Sequence, residues 1–138
     1  MSAKSHGPLE IAAVRAARGT QALDECAAFY GDVLGLPLIA SFDDHAGYDG
    51  RVFGLPGKHR QLELVRAPSG VASVPNAEDA IVLYIATTAA FEAVSDRIEA
   101  SGHAFVELDN PYWAKVGARA VLDPDGWTVI LVPPGLDH

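Results

Sequence analysis

The sequence predicts an α+β fold in which two βαβββ units pack together and curl into an incomplete barrel with a cleft. Three observations predict it. The order strand, helix, strand, strand, strand is legible twice along 138 residues. Gly35 and Gly102, each closing a helical pattern, lie 67 positions apart, and Thr20 and Thr88, each opening one, lie 68 apart. Between the two runs, the stretch 67–78 (APSGVASVPNAE) holds two prolines and a glycine and reads as a linker. A βαβββ unit alone cannot bury both its helix and its sheet, so two copies are expected to share an interior. This sets one domain over 8–134, with a repeat at 8–66, a linker at 67–78 and a second repeat at 79–134.

Taken in order, 9–17 (LEIAAVRAA) is apolar with interruptions and reads as a strand. Thr20 is expected to cap the following helix, with Asp24 and Glu25 near the positive end of its dipole. Leu23, Ala27, Tyr30 and Leu34 recur at helical spacing, and Gly35 suits the residue just past the helix end. A strand follows over 36–42 (LPLIASF). The stretch 43–50 (DDHAGYDG) is rich in Asp and Gly and reads as a turn. Strands at 51–55 and 61–66 are joined by a turn starting at Pro56-Gly57.

The second repeat has a strand over 79–86 and a helix over 89–101 capped by Thr88. Phe91, Val94 and Ile98 form one apolar stripe on that helix. A strand at 103–108, a bend at 110–117 (NPYWAKVG), and strands at 118–122 and 127–132 joined by 123–126 (DPDG) complete it. Shifting by 67 positions lays Glu63-Leu64-Val65 on Ile130-Leu131-Val132.

Composition narrows the class of function. The formal net charge is −8, which argues against nucleic acid or an anionic membrane as partner, since both need a basic surface. The single cysteine, Cys26, excludes an internal disulfide and any multi-cysteine metal site. The longest apolar run, 80–86, is seven residues, against roughly 20 for a membrane span. Residues 1–7 (MSAKSHG) are polar and lack the apolar core of a secretory signal, so the expected location is the cytoplasm.

Two motifs carry a family resemblance: 29–36 (FYGDVLGL), ending the first helix, and 123–126 (DPDG), before the last strand. With the paired βαβββ units, they make the chain resemble the vicinal oxygen chelate superfamily over residues 8–134. That group holds glyoxalases, bleomycin-resistance proteins, fosfomycin-resistance enzymes and extradiol dioxygenases. One small subgroup is also resembled through 42–50 (FDDHAGYDG), 54–57 (GLPG) and 110–113 (NPYW). The resemblance implies a divalent metal inside the barrel, with His or Gln from each unit's first strand and Glu from its last. Here Glu63 stands at the carboxylate position, while its counterpart Ile130 has no donor atom. Neither the first nor the fifth strand offers His or Gln. Typical divalent sites use three or more protein ligands, so the usual centre is expected to be missing and no cofactor is assigned.

The candidate ligand-binding residues are His45, Tyr48, Asp49, Glu63, Asn110, Tyr112 and Trp113. Glu63 shares a strand face with Gln61 and Val65, and either lines the cleft or points to solvent. Tyr112 and Trp113 offer apolar faces with one polar handle each, suited to a flat organic ligand, or else pack on the sheet. His45 and Glu63 are the alternative, as a metal pair or an acid/base pair in a lyase, isomerase or dioxygenase. Arg15 reads as an outward arginine on an edge, its alternative being an inward clamp for an anion. Cys26 and Trp127 read as packed core, Asp123 and Asp125 as turn formers, and His6, His59, His103 and His138 as surface residues. The expected partners are a small neutral or cationic organic molecule and a second copy of the chain, as a homodimer.

Overall fold

Alternation of apolar residues decides which side of each strand is buried, and in both repeats it places a helix over the buried side. The computed structural model describes residues 7–135, which leaves His6 and His138 outside the described residues. The first repeat is β1 (Val14–Gly19), α1 (Leu23–Ala28), β2 (Leu38–His45), β3 (Tyr48–Gly54) and β4 (Arg60–Arg66). The second is β5 (Ala80–Tyr84), α2 (Thr88–Ala100), β6 (Phe105–Val106), α3 (Pro111–Lys115), β7 (Arg119–Leu122) and β8 (Thr128–Val132). The sheets run β1-β4-β3-β2 and β5-β8-β7-β6. β1 lies parallel to β4 and β5 parallel to β8, and the other pairings are antiparallel. The repeat read from the sequence is thus a repeat of topology, and the two sheets stay separate rather than closing a barrel.

The first strand begins at Val14, not at Leu9. Val14 pairs with Arg60, where β4 itself starts, so the residues before it have no strand to join. Thr20 does not cap α1. Its hydroxyl accepts from the Ala22 amide at 3.0 Å, forming a turn ahead of the helix. After α1 the chain makes a π-helical turn over Phe29–Val33, in which the Leu34 amide donates to the Phe29 carbonyl at 2.9 Å. Gly35 then takes φ +83°, as a residue past a helix end does.

The stretch 43–50 is a hairpin, not a long turn. β2 runs through to His45 and β3 starts at Tyr48, leaving Ala46-Gly47 as a two-residue loop with φ of 54° and 88°. Two positive φ values match the right-handed twist of the flanking strands, so the pairing continues to the tip. In the second repeat Thr87, one residue earlier than expected, caps α2, its side chain accepting from the Ala90 amide at 3.1 Å. The strand expected over 103–108 shrinks to Phe105–Val106. The expected bend at 110–117 is α3, with Asn110 accepting from the Tyr112 amide at 3.0 Å and Pro111 in the first turn.

One apolar core joins the repeats. Leu23, Cys26, Phe29, Tyr30 and Leu34 of the first helical segment meet Phe53, Leu62 and Leu64 of the first sheet. Val94 and Ile98 of α2 and Val121, Val129 and Leu131 of the second sheet belong to the same cluster. Arg97 of α2 also donates to the carbonyls of Val33 (3.0 Å) and Leu34 (3.3 Å), which close the first helical segment. The helical sides of both sheets therefore face each other, and their other sides, called outer faces below, point apart.

Candidate functional site

Because Leu62 and Leu64 face the core, Gln61, Glu63 and Val65 lie on the outer face of the first sheet. The parallel register sets Arg15 beside Gln61 and Ala17 beside Glu63, and Val52 flanks Glu63 on the other side. Arg15 is not a bystander on the edge. Its Nε donates to Gln61 Oε1 at 2.7 Å and its Nη1 to Glu63 Oε1 at 3.2 Å. Gln61 in turn donates to the Lys58 carbonyl at 2.6 Å. The Glu63 side chain is 14% exposed and that of Arg15 46%, so the pair is open on one side. In the sequence, Arg15 reads as an edge arginine or an inward anion clamp and Gln61 as a face-mate of Glu63, but neither counts among the ligand-binding candidates. The period-two spacing of Gln61 and Glu63 was the available signal, but only the register of β1 brings Arg15 to them.

Tyr48 shares this outer face, being in step with Val52 along β3, and is 43% exposed. His45 lies opposite Tyr48 at the hairpin tip and packs its ring edgewise on Phe42, centroids 6.1 Å apart. Asp49, one residue on, faces the other way. It accepts from Arg66 Nη2 at 2.7 Å and from the Asp44 amide at 2.7 Å. The Asp44 amide first, and Arg66 second, hold its carboxyl below the ordinary carboxylate value.

The outer face of the second sheet is apolar. Ala120, Ile130 and Val132 are buried, with Val82, Val106, Leu108 and Trp113 packed on them. Trp113, on α3, is packed on that face, and Tyr112 stands edgewise to Trp113 at 5.2 Å and is 49% exposed. A cavity of about 200 Å³ remains there, bounded by Val82, Leu108, Asn110, Trp113, Thr128 and Ile130. Asn110 spends its side-chain oxygen on capping α3. The seven sequence candidates thus fall into two sets, one per repeat, and apart from Asp49, on the opposite side of β3, the two sets lie on faces that point apart.

The donor atoms do not fit a divalent ion. Among the described residues no three His, Cys, Asp or Glu side chains come together to hold one. Glu63 already has a guanidinium on it, and Ile130 contributes none. His45 pairs with Tyr48 while Glu63 pairs with Val52. Four residues of strand separate the two rows, roughly 13 Å at the usual rise. β2 and β4 are also two strand spacings apart, about 10 Å, so the two backbones lie about 16 Å from each other, beyond the reach of two extended side chains and metal–ligand bonds of about 2 Å.

The most buried charges lie between the repeats. Arg18, on the core side of β1, donates to Asp123 through Nη2 and to Asp125 Oδ2 at 2.9 Å. Tyr30 donates to the same Asp123 oxygen at 2.6 Å. Asp123 Oδ1 accepts from the amides of Asp125 and Trp127, which fulfils its turn-forming role in the DPDG loop. Cys26 donates to Asp125 Oδ2 at 3.4 Å, so the packed thiol has polar neighbours as well. Burial works against the Arg18 charge, but the bond to Asp125 and the charge of Asp123 outweigh it and raise its value. Burial, then Asp123, pushes the Tyr30 phenol up, and burial pushes the Cys26 thiol up. Trp127 lies under Arg18, whose Cζ is 5.7 Å from the ring centroid. His103, expected at the surface, instead packs edgewise on Phe29 at 5.0 Å. His59 is exposed, as expected.

Comparison with known proteins agrees with this architecture. The YycE-like N-terminal domain model matches residues 14–65 and the YycE-like C-terminal domain model residues 78–133. The uncharacterized protein YycE of Bacillus subtilis (strain 168) is 35% identical over 130 residues, covering 94% of this chain and 93% of that protein. A crystal structure of a YycE protein of unknown function from Bacillus subtilis has a TM-score of 0.87 at 34% identity and covers 98% of each chain. TnmS3, an antibiotic binding protein from Streptomyces sp. CB03234, has a TM-score of 0.63 at 20% identity, covering 98% of this chain and 100% of its own. Glyoxalase, bleomycin-resistance and fosfomycin-resistance structures at 11–17% identity share the fold. The chain belongs to the YycE-like family, within the vicinal oxygen chelate superfamily.

Proposed function

We propose that the protein binds a small neutral or cationic organic molecule between the outer faces of its two kinds of sheet, without the divalent metal usual in the superfamily. The two outer faces of one chain point apart, so a cleft lined by both needs a second copy, and the protein acts as a homodimer. One wall carries Tyr48 and the Arg15–Glu63 pair, and the other carries Trp113 and the exposed Tyr112. The observation that carries the metal-free reading is the Arg15 guanidinium 3.2 Å from Glu63, the one carboxylate at the expected ligand position. A binding role needs no reaction, and the fold serves one in TnmS3, an antibiotic binding protein. The charge of −8 favours neutral or cationic ligands over anions, nucleic acid or anionic membranes, and the cytoplasm is the proposed location.

Two measurements test this. Protein purified without chelator or affinity-tag nickel is expected to carry no stoichiometric divalent ion. A bound ion lost on Glu63→Gln would overturn the metal-free reading. A thermal-shift screen of neutral and cationic aromatic compounds is expected to give hits that fade in a Tyr48→Ala/Tyr112→Ala variant, both positions being surface-exposed. Hits that keep their full shift in that variant contradict the cleft.

A further inference from the structure

We infer that Arg15 and Glu63 together form a two-point anchor for a neutral ligand bearing a carbonyl beside an N–H, that is, an amide, lactam or urea. The inference rests on the proposed function and narrows it. Arg15 uses Nε on Gln61 and Nη1 on Glu63 Oε1. Among the described residues, Arg15 Nη2 and Glu63 Oε2 have no protein partner. A guanidinium nitrogen only donates and an ionised carboxylate only accepts. The wholly unpartnered atoms of the pair are therefore one donor nitrogen and one acceptor oxygen, held together by one salt bridge. A ligand carbonyl oxygen satisfies the first and a ligand N–H the second.

The same pair discriminates against charged ligands. A carboxylate drawn to Arg15 meets Glu63, and an ammonium drawn to Glu63 meets Arg15. A dipolar neutral group meets neither penalty. Gln61 holds Arg15 in place from the side and is itself tied to the Lys58 carbonyl, so the anchor is preorganised rather than recruited. Ala17, directly beside Glu63 on β1, has only a methyl group, which leaves space above the pair. In effect the positive charge that binds an oxygen on this face is carried by a side chain of the protein itself.

The test is a titration of ¹⁵N-labelled protein with δ-valerolactam, followed by amide shifts, with cyclohexanone and piperidinium as single-function controls. Saturable shifts are expected at Ala17, Val52 and Glu63 with the lactam and not with either control. Arg15→Met keeps the aliphatic stem and is expected to weaken lactam binding about tenfold or more, as for loss of a hydrogen bond to a charged group. An unchanged spectrum away from the site verifies that the variant is folded. Equal response to lactam and ketone, or full response in Arg15→Met, overturns the anchor. Aromatic hits in the thermal-shift screen with no lactam response overturn the anchor and leave the proposed function standing. No response to either class overturns both.

Discussion

Asp123 is 4% exposed and charged, and four donors account for it: Arg18 and Tyr30 on one oxygen, the amides of Asp125 and Trp127 on the other. A buried carboxylate is tolerated only when satisfied in this way. Tyr30→Phe removes one donor and is expected to destabilise the protein by about 1–3 kcal/mol at neutral pH, measured by chemical denaturation. The same residue shapes the alkaline limb. A phenol and a thiol whose values are raised by folding give stability that is whole below their ordinary values of 10.0 for Tyr30 and 9.0 for Cys26. That stability is lost as pH climbs above those values, because the unfolded chain ionises first. The melting temperature is expected to fall above about pH 9, and less steeply in Tyr30→Phe. A melting temperature flat across that range would contradict the buried placement of both groups. The turn-forming role of Asp123 is legible in DPDG, but its partner Arg18 is not. The pairing spans more than a hundred positions, and nothing local marks one arginine of β1 for the interior and the other for the outer face.

The β2–β3 hairpin is the element where composition misled most. Three aspartates, a histidine and two glycines over 43–50 suggest a turn, yet the ladder runs to its tip. Strand propensity is a weak local preference, and pairing with β4 on one side and a two-residue positive-φ loop at the end outweigh it. Gly50 is what the pairing requires. A Cβ there would come within 2.2 Å of the Phe42 ring directly across the ladder. Gly50→Ala is expected to cost about 1–3 kcal/mol through overpacking, and Phe42→Leu in the same chain to recover part of it, both read by thermal unfolding. Equal stability of Gly50→Ala and the parent would show that Phe42 does not lie over the backbone. α3 was misread for a different reason. Asn followed by Pro is a helix-start signal, but its length of one turn gives no periodicity for a sequence pattern to reveal.

At the scale of the molecule, the repeat was legible from order and spacing, and its packing was not. Alternation tells that a strand has two faces, but not which one meets the other half. Here both helical faces go inward to a single cluster that draws on each repeat. Neither half should then fold alone. Residues 8–66 and 79–134 expressed separately are expected to lack dispersed amide spectra, whereas the full chain unfolds in one transition. Dispersed spectra from either half would refute the shared core. The outer faces, by contrast, have diverged, polar around Glu63 and apolar around Ile130, and this difference was visible in the alignment of the halves. Cys26, 0% exposed, sits at the seam beside Arg18 and Asp125. A reagent that alkylates thiols can reach it only while the repeats are parted. The chain thus carries its own clock, since the rate at which its one thiol is labelled counts how often the two halves come open.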